Sequence, residues 1–113
     1  MSTMRNSVML IGRPGAEPEV RNLSNNNKVA RFRLAVDESH MNANREWVNE
    51  TQWFTLVAWG KSADRVERFV KKGMKIAVDG ALHNNEWTDD KGLRHNNVEV
   101  WVNDLFLIDK IKE

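Results

Sequence analysis

Cysteine and tyrosine are both absent from the sequence, and proline occurs only at positions 14 and 18. Without cysteine there is no disulfide framework and no thiolate metal site, which is typical of a cytoplasmic protein. No apolar run approaches the ~20 residues that span a bilayer, and the N-terminal apolar stretch is too short for a signal peptide. We therefore expect one cytoplasmic domain over residues 1–113, with no membrane partner.

An overall excess of one charge is also lacking, because 17 Lys/Arg oppose 16 Asp/Glu for a net charge of +1. The distribution of charge is nevertheless uneven along the chain. Residues 1–36 and 61–75 each carry net +4, whereas residues 37–60 carry −3 and residues 76–113 carry −4. The two basic blocks favour a local basic surface, with solvated strand and helix faces as the alternative.

Short apolar stretches separated by turn residues predict a β-rich fold. The predicted strands are residues 7–12, 29–36, 51–59, 74–82 and 98–102. After the third strand, residues 61–73 show helical spacing, with Ser62 as N-cap and Gly73 as C-terminal cap. The polar residues 37–50 are predicted to form a long loop. This order favours an all-β OB-fold, a five-stranded Greek-key barrel with one α-helix between strands 3 and 4.

The third predicted strand contains the segment TQWFTLVAWGK, and its alternation indicates which face is the core. Successive side chains of a strand point to opposite faces, so Trp53 and Trp59 share one face with threonines. Phe54, Leu56 and Ala58 share the other face. Packing this second set inward buries a continuous apolar surface and leaves both indoles outside, where exposed aromatic area is typical of a binding surface.

Other aromatic and basic side chains fall on the outward side as well. Trp87 shares its parity with polar residues, and Trp101 lies opposite three valines. Arg31 and Arg33 point outward from the predicted strand 29–36, in which the alternate residues are apolar. Such a surface suits single-stranded nucleic acid, whose bases stack on aromatics at about 1–3 kcal/mol each while Lys and Arg contact phosphates. A subunit interface is the alternative, because aromatics are also enriched there.

No set of residues specifies catalysis or a cofactor. His40, His83 and His95 lie far apart in polar surroundings, without the spacing of a zinc site. Asp37 and Glu38 lie near His40 in sequence, but no nucleophile accompanies them. We therefore expect no catalytic residue, no metal site and no cofactor, in a protein that is not an enzyme.

Six sequence motifs occur in order between Asn6 and Asn103: NSVMLIGRPGAEPEVR, VARFRLAVDES, TQWFTLVAWGKSADRVERFVKKG, VDGAL, EWTDDKG and VEVWVND. In these motifs the sequence resembles the bacterial single-stranded-DNA-binding protein family over nearly its whole length. The resemblance implies an OB-fold and a homotetramer, with a homodimer as the alternative. It also implies sequence-independent binding of single-stranded DNA in replication, recombination or repair.

The resemblance further implies individual site residues. The base-stacking positions of the family fall on Trp53, Trp59 and Trp87, the indoles that strand alternation turns outward. A fourth stacking tryptophan of the family falls on His40, where an imidazole can also stack and an idle loop histidine is the alternative. From charge and position we add a set of expected phosphate contacts: Arg31, Arg33 and Lys61, followed by Arg45 and Lys75.

The sequence departs from the family pattern at its C-terminal end. Family members usually continue into a Gly/Pro/Gln-rich linker and an acidic tip, whereas this sequence ends at DLFLIDKIKE. The resemblance is therefore to a short form, and it does not extend to tail-mediated recruitment of replication and repair enzymes. The short form also resembles primosomal replication protein N, an accessory OB protein acting mainly through protein contacts. An RNA-binding OB domain is a further alternative, since stacking and charge do not distinguish ribose from deoxyribose.

Overall fold

The computed structural model describes residues 5–108, which form one sheet of six strands and one α-helix. In chain order the elements are β1 (Val8–Pro14), β2 (Glu19–Asn22), β3 (Lys28–Met41), β4 (Trp47–Trp59), α1 (Lys61–Phe69), β5 (Ile76–Thr88) and β6 (Arg94–Leu107). A short 3-10 turn at Ser24–Asn26 joins β2 to β3, where Asn25 and Asn26 take φ angles of 66° and 62°. Asparagine tolerates this left-handed conformation, so the asparagine run forms the turn.

The sheet closes on itself into a barrel. Its strand order is β1-β5-β6-β4-β3-β2, and β1 also pairs with β3, where Arg13 lies opposite Ala35 and Pro14 opposite Leu34. Gly12 permits this close approach, because a Cβ at that position would overlap the carbonyl oxygen of Ala35. A closed Greek-key barrel with one helix is the OB-fold, so the predicted fold class is confirmed.

The helix lies one strand later than predicted. It sits between β4 and β5 rather than between strands 3 and 4, because the short edge strand β2 adds a strand before it. The apolar side of α1 contributes Ala63 and Val66 to the core and packs across β3, β4 and β6. On its polar side, Lys28 of β3 forms ion pairs with Asp64 and Glu67. These contacts hold the helix on the barrel from both its apolar and its polar side.

The predicted helix caps are wrong. The N-cap is Gly60, with a φ of 57° and no side-chain cap hydrogen bond, and Ser62 lies inside the first turn. The C-cap is Val70, whereas Gly73 lies in the following turn with a φ of 83° and donates its N–H to the Pro14 carbonyl at 2.9 Å. The reason is tertiary, because β4 ends directly before Gly60 and the chain must reverse there to enter the helix.

The core lies on the side that strand alternation predicts. Leu56 and Ala58 are fully buried, and Phe54 packs against them, whereas Trp53 and Trp59 are exposed. The rest of the core comes from the other strands and the helix: Ala30, Phe32, Leu34, Ala63, Val66, Val70, Ile76, Val78, Val100, Val102 and Leu105. Each fully buried Leu, Ile or Val contributes about 1.5–3 kcal/mol relative to an exposed one.

Residues 37–50, predicted to be a loop, instead form the far part of the β3–β4 hairpin. Pairing of the two strands continues without interruption to Met41 opposite Trp47. Polar cross-strand bonds hold this part together, as where Ser39 Oγ donates to Asn49 Oδ1 at 2.7 Å. The prediction failed because this ribbon is mostly exposed on both faces and therefore lacks the apolar alternation that indicates a strand.

The β5–β6 hairpin continues beyond the predicted strands 74–82 and 98–102 into the polar segment 83–97, with its turn between Thr88 and Arg94. Its far part again carries polar residues on both faces. Nearer the core, the register shifts between Asp79 and Gly80, so the buried positions of β6 change parity from Val102 to Leu105. The two long hairpins extend the outer surface of the barrel well beyond its core.

Candidate nucleic-acid interface

One outer surface of the barrel carries all five tryptophans. The register sets the outward residues of four strands side by side: Arg31 and Arg33 of β3, Trp47, Trp53, Thr55, Val57 and Trp59 of β4, Glu99 and Trp101 of β6, and His83 and Trp87 of β5. We call this surface the tryptophan face. Four of the indoles are between 44% and 71% exposed, and Trp101 is half-buried. Threonines belong on this face because it lies in water.

Trp53 is held in place from two sides. Gly15 lies against its indole, and an added Cβ there would be 2.6 Å from Trp53 Cζ3. The guanidinium carbon of Arg33 lies 5.0 Å from the ring centroid, within the range of a cation–π contact. The indole lines an open groove of about 620 Å³ together with Arg31, Arg33 and Thr55. An aromatic ring flanked by positive charge in a groove suits a nucleotide base and its phosphate.

The middle of the tryptophan face is an aromatic cluster. Trp59 meets Trp101 edge to face, with ring centroids 5.8 Å apart and planes at 61°. His83 stacks on Trp101 with centroids 3.8 Å apart and planes at 24°. Val57, opposite Trp101 in the register, is fully buried although it lies on the outward side of β4. The rings therefore form a second, shallow apolar layer outside the barrel.

An ion pair lies beside this cluster. Glu99 is only 3% exposed, and its Oε2 accepts a hydrogen bond from Arg31 Nη1 at 2.8 Å. Its Oε1 accepts from Trp101 Nε1 at 3.4 Å. Arg31, predicted as a phosphate contact, thus already has a carboxylate partner, although its side chain remains 47% exposed. Its role toward phosphate stays a prediction.

Trp87 stands on the far part of the β5–β6 hairpin. The imidazole of His95 lies parallel to its indole, with centroids 5.2 Å apart and planes at 21°, and His95 Nε2 is 2.8 Å from Asp89 Oδ2. Asp89 also accepts hydrogen bonds from the N–H groups of Leu93 and Lys91. The hydrogen bond with His95, followed by that from Leu93, holds the pKa of Asp89 below its usual value of 3.8. The turn thereby holds the ring of His95, which lies against the indole of Trp87.

The other predicted phosphate contacts lie in three places. Lys61 is exposed at the start of α1, two residues after Trp59. Lys75 lines a recess beside Trp53. Arg45, with a φ of 62°, lies at the tip of the β3–β4 hairpin. Lys75 therefore lies in the same recess as the predicted stacking residue Trp53. Lys61 is near Trp59 in the chain, whereas Arg45 lies in a hairpin turn.

His40 lies on the opposite side of the β3–β4 ribbon from the tryptophan face. It pairs with Val48, whereas the next pair along the ribbon, Met41 and Trp47, belongs to the tryptophan side. Its Nε2 lies 3.7 Å from a carboxylate oxygen of Glu50. The structure does not bring His40 together with the indoles, and its stacking role stays a prediction.

Sequence reasoning missed Trp47 as a member of this face. It is the most exposed of the five tryptophans, at 71%, and lies six residues before Trp53 on the same strand. The even spacing between Trp47 and Trp53 was the available signal, since residues an even number apart on one strand share a face. This rule applies only within a continuous strand, and residues 37–50 were predicted to form a loop.

Arg21 is a second residue that sequence reasoning missed. It lies on β2 opposite Val29, whose other neighbour is Trp59, so it points to the tryptophan side of the sheet. Arg21, Arg31 and Trp59 line one recess. The available signal for Arg21 was the alternation of β2, in which Glu19 and Arg21 flank a half-buried valine. A strand of four residues is too short for this alternation to be recognised from the sequence.

Two kinds of feature are absent from residues 5–108. No group of three or more His, Asp or Glu side chains in that range is arranged to hold a metal ion. The one helix found there is neither long nor apolar enough to cross a membrane.

Known proteins share both the sequence pattern and the fold of this chain. The model of the Single-strand binding protein family matches residues 5–108. The chain belongs to this family. The family match agrees with the resemblance found in the sequence motifs, and it does not favour the alternative of a primosomal replication protein N-like protein.

Two similar proteins show how far the similarity extends. "Single-stranded DNA-binding protein 1" of Chlorobaculum tepidum is 37% identical over 86 residues, which are 76% of this chain and 53% of that protein. The chain thus spans about half the length of this curated relative. A solved structure, "Plasmodium falciparum SSB complex with ssDNA", matches with a TM-score of 0.86 and 30% identity, covering 96% of this chain and 99% of that one. The predicted family and fold are confirmed.

Proposed function

We propose that this protein binds single-stranded DNA without sequence preference and protects it during replication, recombination or repair. The observation that carries the proposal is the gathering of all five tryptophans on one outer face of the barrel. Large exposed aromatic area is otherwise unfavourable in water, so its concentration on one face supports a binding surface. The similar Plasmodium falciparum protein was solved in complex with such DNA, which supports the same ligand here.

The proposed mechanism combines stacking with phosphate neutralisation. Bases stack on Trp53, Trp59 and Trp87, and each stacked base contributes about 1–3 kcal/mol whatever its identity. Arg33 and Lys61 contact phosphates, while Lys75, Arg45, Arg21 and Arg31 are the further candidates. Bases of a duplex are already stacked on each other, so this surface selects single strands. The protein acts by binding alone, without a catalytic step or cofactor, in the cytoplasm.

A homotetramer is part of the proposal, with a homodimer as the alternative. An exposed apolar patch supports assembly, because Met9 and Ile11 of β1 and Phe106 of β6 are each more than half exposed. Ile11 lies opposite Ala77, and Ala77 opposite Phe106, so these side chains form one continuous outer surface across β1, β5 and β6. Light scattering on an Ile11→Glu/Phe106→Glu variant tests this, since loss of a wild-type oligomer is expected.

Titration with an oligothymidine at two salt concentrations tests DNA binding. We expect strong quenching of tryptophan fluorescence, with an affinity that falls as salt rises because counterions are released from the phosphates. The variant Trp53→Ala/Trp87→Ala should lose most of the quenching while keeping the circular dichroism of the fold. Phe69→Ala, which removes an exposed aromatic ring from α1, is the control and should bind normally.

Failure of the wild-type protein to bind the oligonucleotide at any salt concentration would refute the proposal. Equal loss of binding in the Phe69→Ala control would show that the double variant acts through general destabilisation instead. Stronger binding to an oligouridine of the same length would redirect the proposal to RNA.

A further inference from the structure

Glu99 is the one buried charged side chain in residues 5–108, and it lies within a surface proposed to bind a polyanion. Burying a carboxylate is costly unless it is paired and hydrogen-bonded. Here Arg31 bonds one carboxylate oxygen at 2.8 Å and the indole N–H of Trp101 bonds the other at 3.4 Å. Both oxygens of the Glu99 carboxylate therefore accept hydrogen bonds from side chains of the tryptophan face.

The pair ties Arg31 to the protein. If its guanidinium turned fully toward a DNA phosphate, Glu99 would remain buried without a partner, and an unpaired buried charge is strongly destabilising. Arg33 provides a comparison from the same strand and face. Within residues 5–108 no carboxylate pairs with it, and its guanidinium lies over Trp53. Two arginines that look equivalent in sequence therefore differ in their freedom to bind phosphate.

We propose that Glu99 is a positioning residue that withholds Arg31 from phosphate and thereby limits the affinity of the tryptophan face for single-stranded DNA. The proposal rests on the proposed function. The ion pair contributes little net charge to the surface, so Arg31 neutralises less than one phosphate. The guanidinium of Arg31 instead holds the Glu99 carboxylate, which accepts a hydrogen bond from Trp101 Nε1. The ring of Trp101 in turn packs against the rings of Trp59 and His83.

The test is the salt dependence of binding to a fluorescein-labelled oligothymidine, followed by anisotropy so that changes at Trp101 do not disturb the readout. The slope of log K against log[salt] changes by about 0.7 for each phosphate contact to a single strand. For Glu99→Gln we expect a slope steeper by about 0.7 per protomer and an affinity several-fold higher at about 50 mM salt. Glutamine keeps an acceptor for Trp101, and circular dichroism checks the fold.

Three further variants separate this proposal from a purely structural effect. Arg31→Gln in the wild-type background leaves Glu99 without its charged partner, so circular dichroism must first show that it folds; its slope should then be nearly unchanged, whereas Arg33→Gln should reduce the slope by about 0.7. Arg31→Gln added to Glu99→Gln should abolish the gain, which identifies Arg31 as its source.

Each outcome decides between the proposals. If the wild-type protein binds with ordinary salt dependence and folded Glu99→Gln shows no gain, the role of Glu99 is refuted and the proposed function stands. If Glu99→Gln does not fold, the double variant Arg31→Gln/Glu99→Gln decides, because it leaves no buried charge unpaired, and a slope reduction equal to that of Arg33→Gln refutes the proposal. If the wild-type protein does not bind the oligonucleotide, the proposed function and this inference fail together.

Discussion

Gly15 lies so close to Trp53 that a side chain at position 15 would displace the indole, since the added Cβ would be 2.6 Å from Cζ3. The ring is about half exposed and can move outward, so the displacement should cost little folding stability. A substitution at position 15 should therefore move the indole of Trp53 without unfolding the barrel.

For Gly15→Ala we expect weaker binding of single-stranded DNA, by up to the ~1–3 kcal/mol of one stacked base. The free energy of unfolding should change by less than about 1 kcal/mol, because the site is on the surface. Oligothymidine titration and urea unfolding measure the two quantities. In a Trp53→Ala background the substitution should have no further effect on affinity, and an additive loss would contradict this explanation.

Trp47 and His40 lie on opposite sides of the same ribbon, so their substitution tests which side DNA contacts. We expect Trp47→Ala to weaken the binding of a long oligothymidine by about 1–3 kcal/mol, and His40→Ala to weaken it less. Fluorescence anisotropy with long and short oligonucleotides measures both. A larger loss for His40→Ala would favour the stacking role that family resemblance implies for His40.

Leu56 and Thr55 are neighbours on β4 that point to opposite faces. Leu56→Ala removes a fully buried side chain and should lower the free energy of unfolding by about 2–5 kcal/mol, through lost burial and a cavity. Thr55→Ala, on the tryptophan face, should change it by less than about 1 kcal/mol. Urea unfolding measures both, and comparable losses would contradict the assignment of the two faces.

Asp89 makes the β5–β6 turn sensitive to acid. Its pKa is lowered in the folded protein, first by the hydrogen bond with His95, so the unfolded chain binds this proton more readily than the folded one. The stabilisation is therefore complete above the usual pKa of 3.8 and is lost as the pH falls through the folded value. We expect the NMR indole signal of Trp87 to shift in this acidic range.

Asp89→Asn provides the control for this shift, because it removes the titrating carboxylate from the turn. The Trp87 signal of the variant should no longer respond over the same range of acid pH. An unchanged response of the Trp87 signal would mean that another acidic group causes the shift. Asp104 is such a group, because the hydrogen bond from Arg65 also lowers its pKa in the folded protein.

Strand alternation predicted the core well where one face of a strand is buried and the other is wet. In residues 51–59 the pattern separated Leu56 and Ala58 from Trp53 and Trp59, and the barrel buries the first pair and exposes the second. The same rule failed for residues 37–50, which are paired strands. A ribbon exposed on both faces has no apolar alternation, so its sequence resembles a loop.

The sequence by itself determined which residues of β4 form the core, that the indoles Trp53, Trp59 and Trp87 point outward, and that the chain resembles a known family. These properties follow from side-chain alternation and local motifs, which operate over a few residues.

Only the tertiary structure decided which distant residues meet on the tryptophan face. Arg31 and Glu99 are 68 positions apart in the chain, and Trp59 reaches Trp101 only because β4 pairs with β6 in parallel. Barrel closure and register set these contacts, and both depend on the packing of all strands together. The pairing that distinguishes Arg31 from Arg33 therefore has no local signal in the sequence.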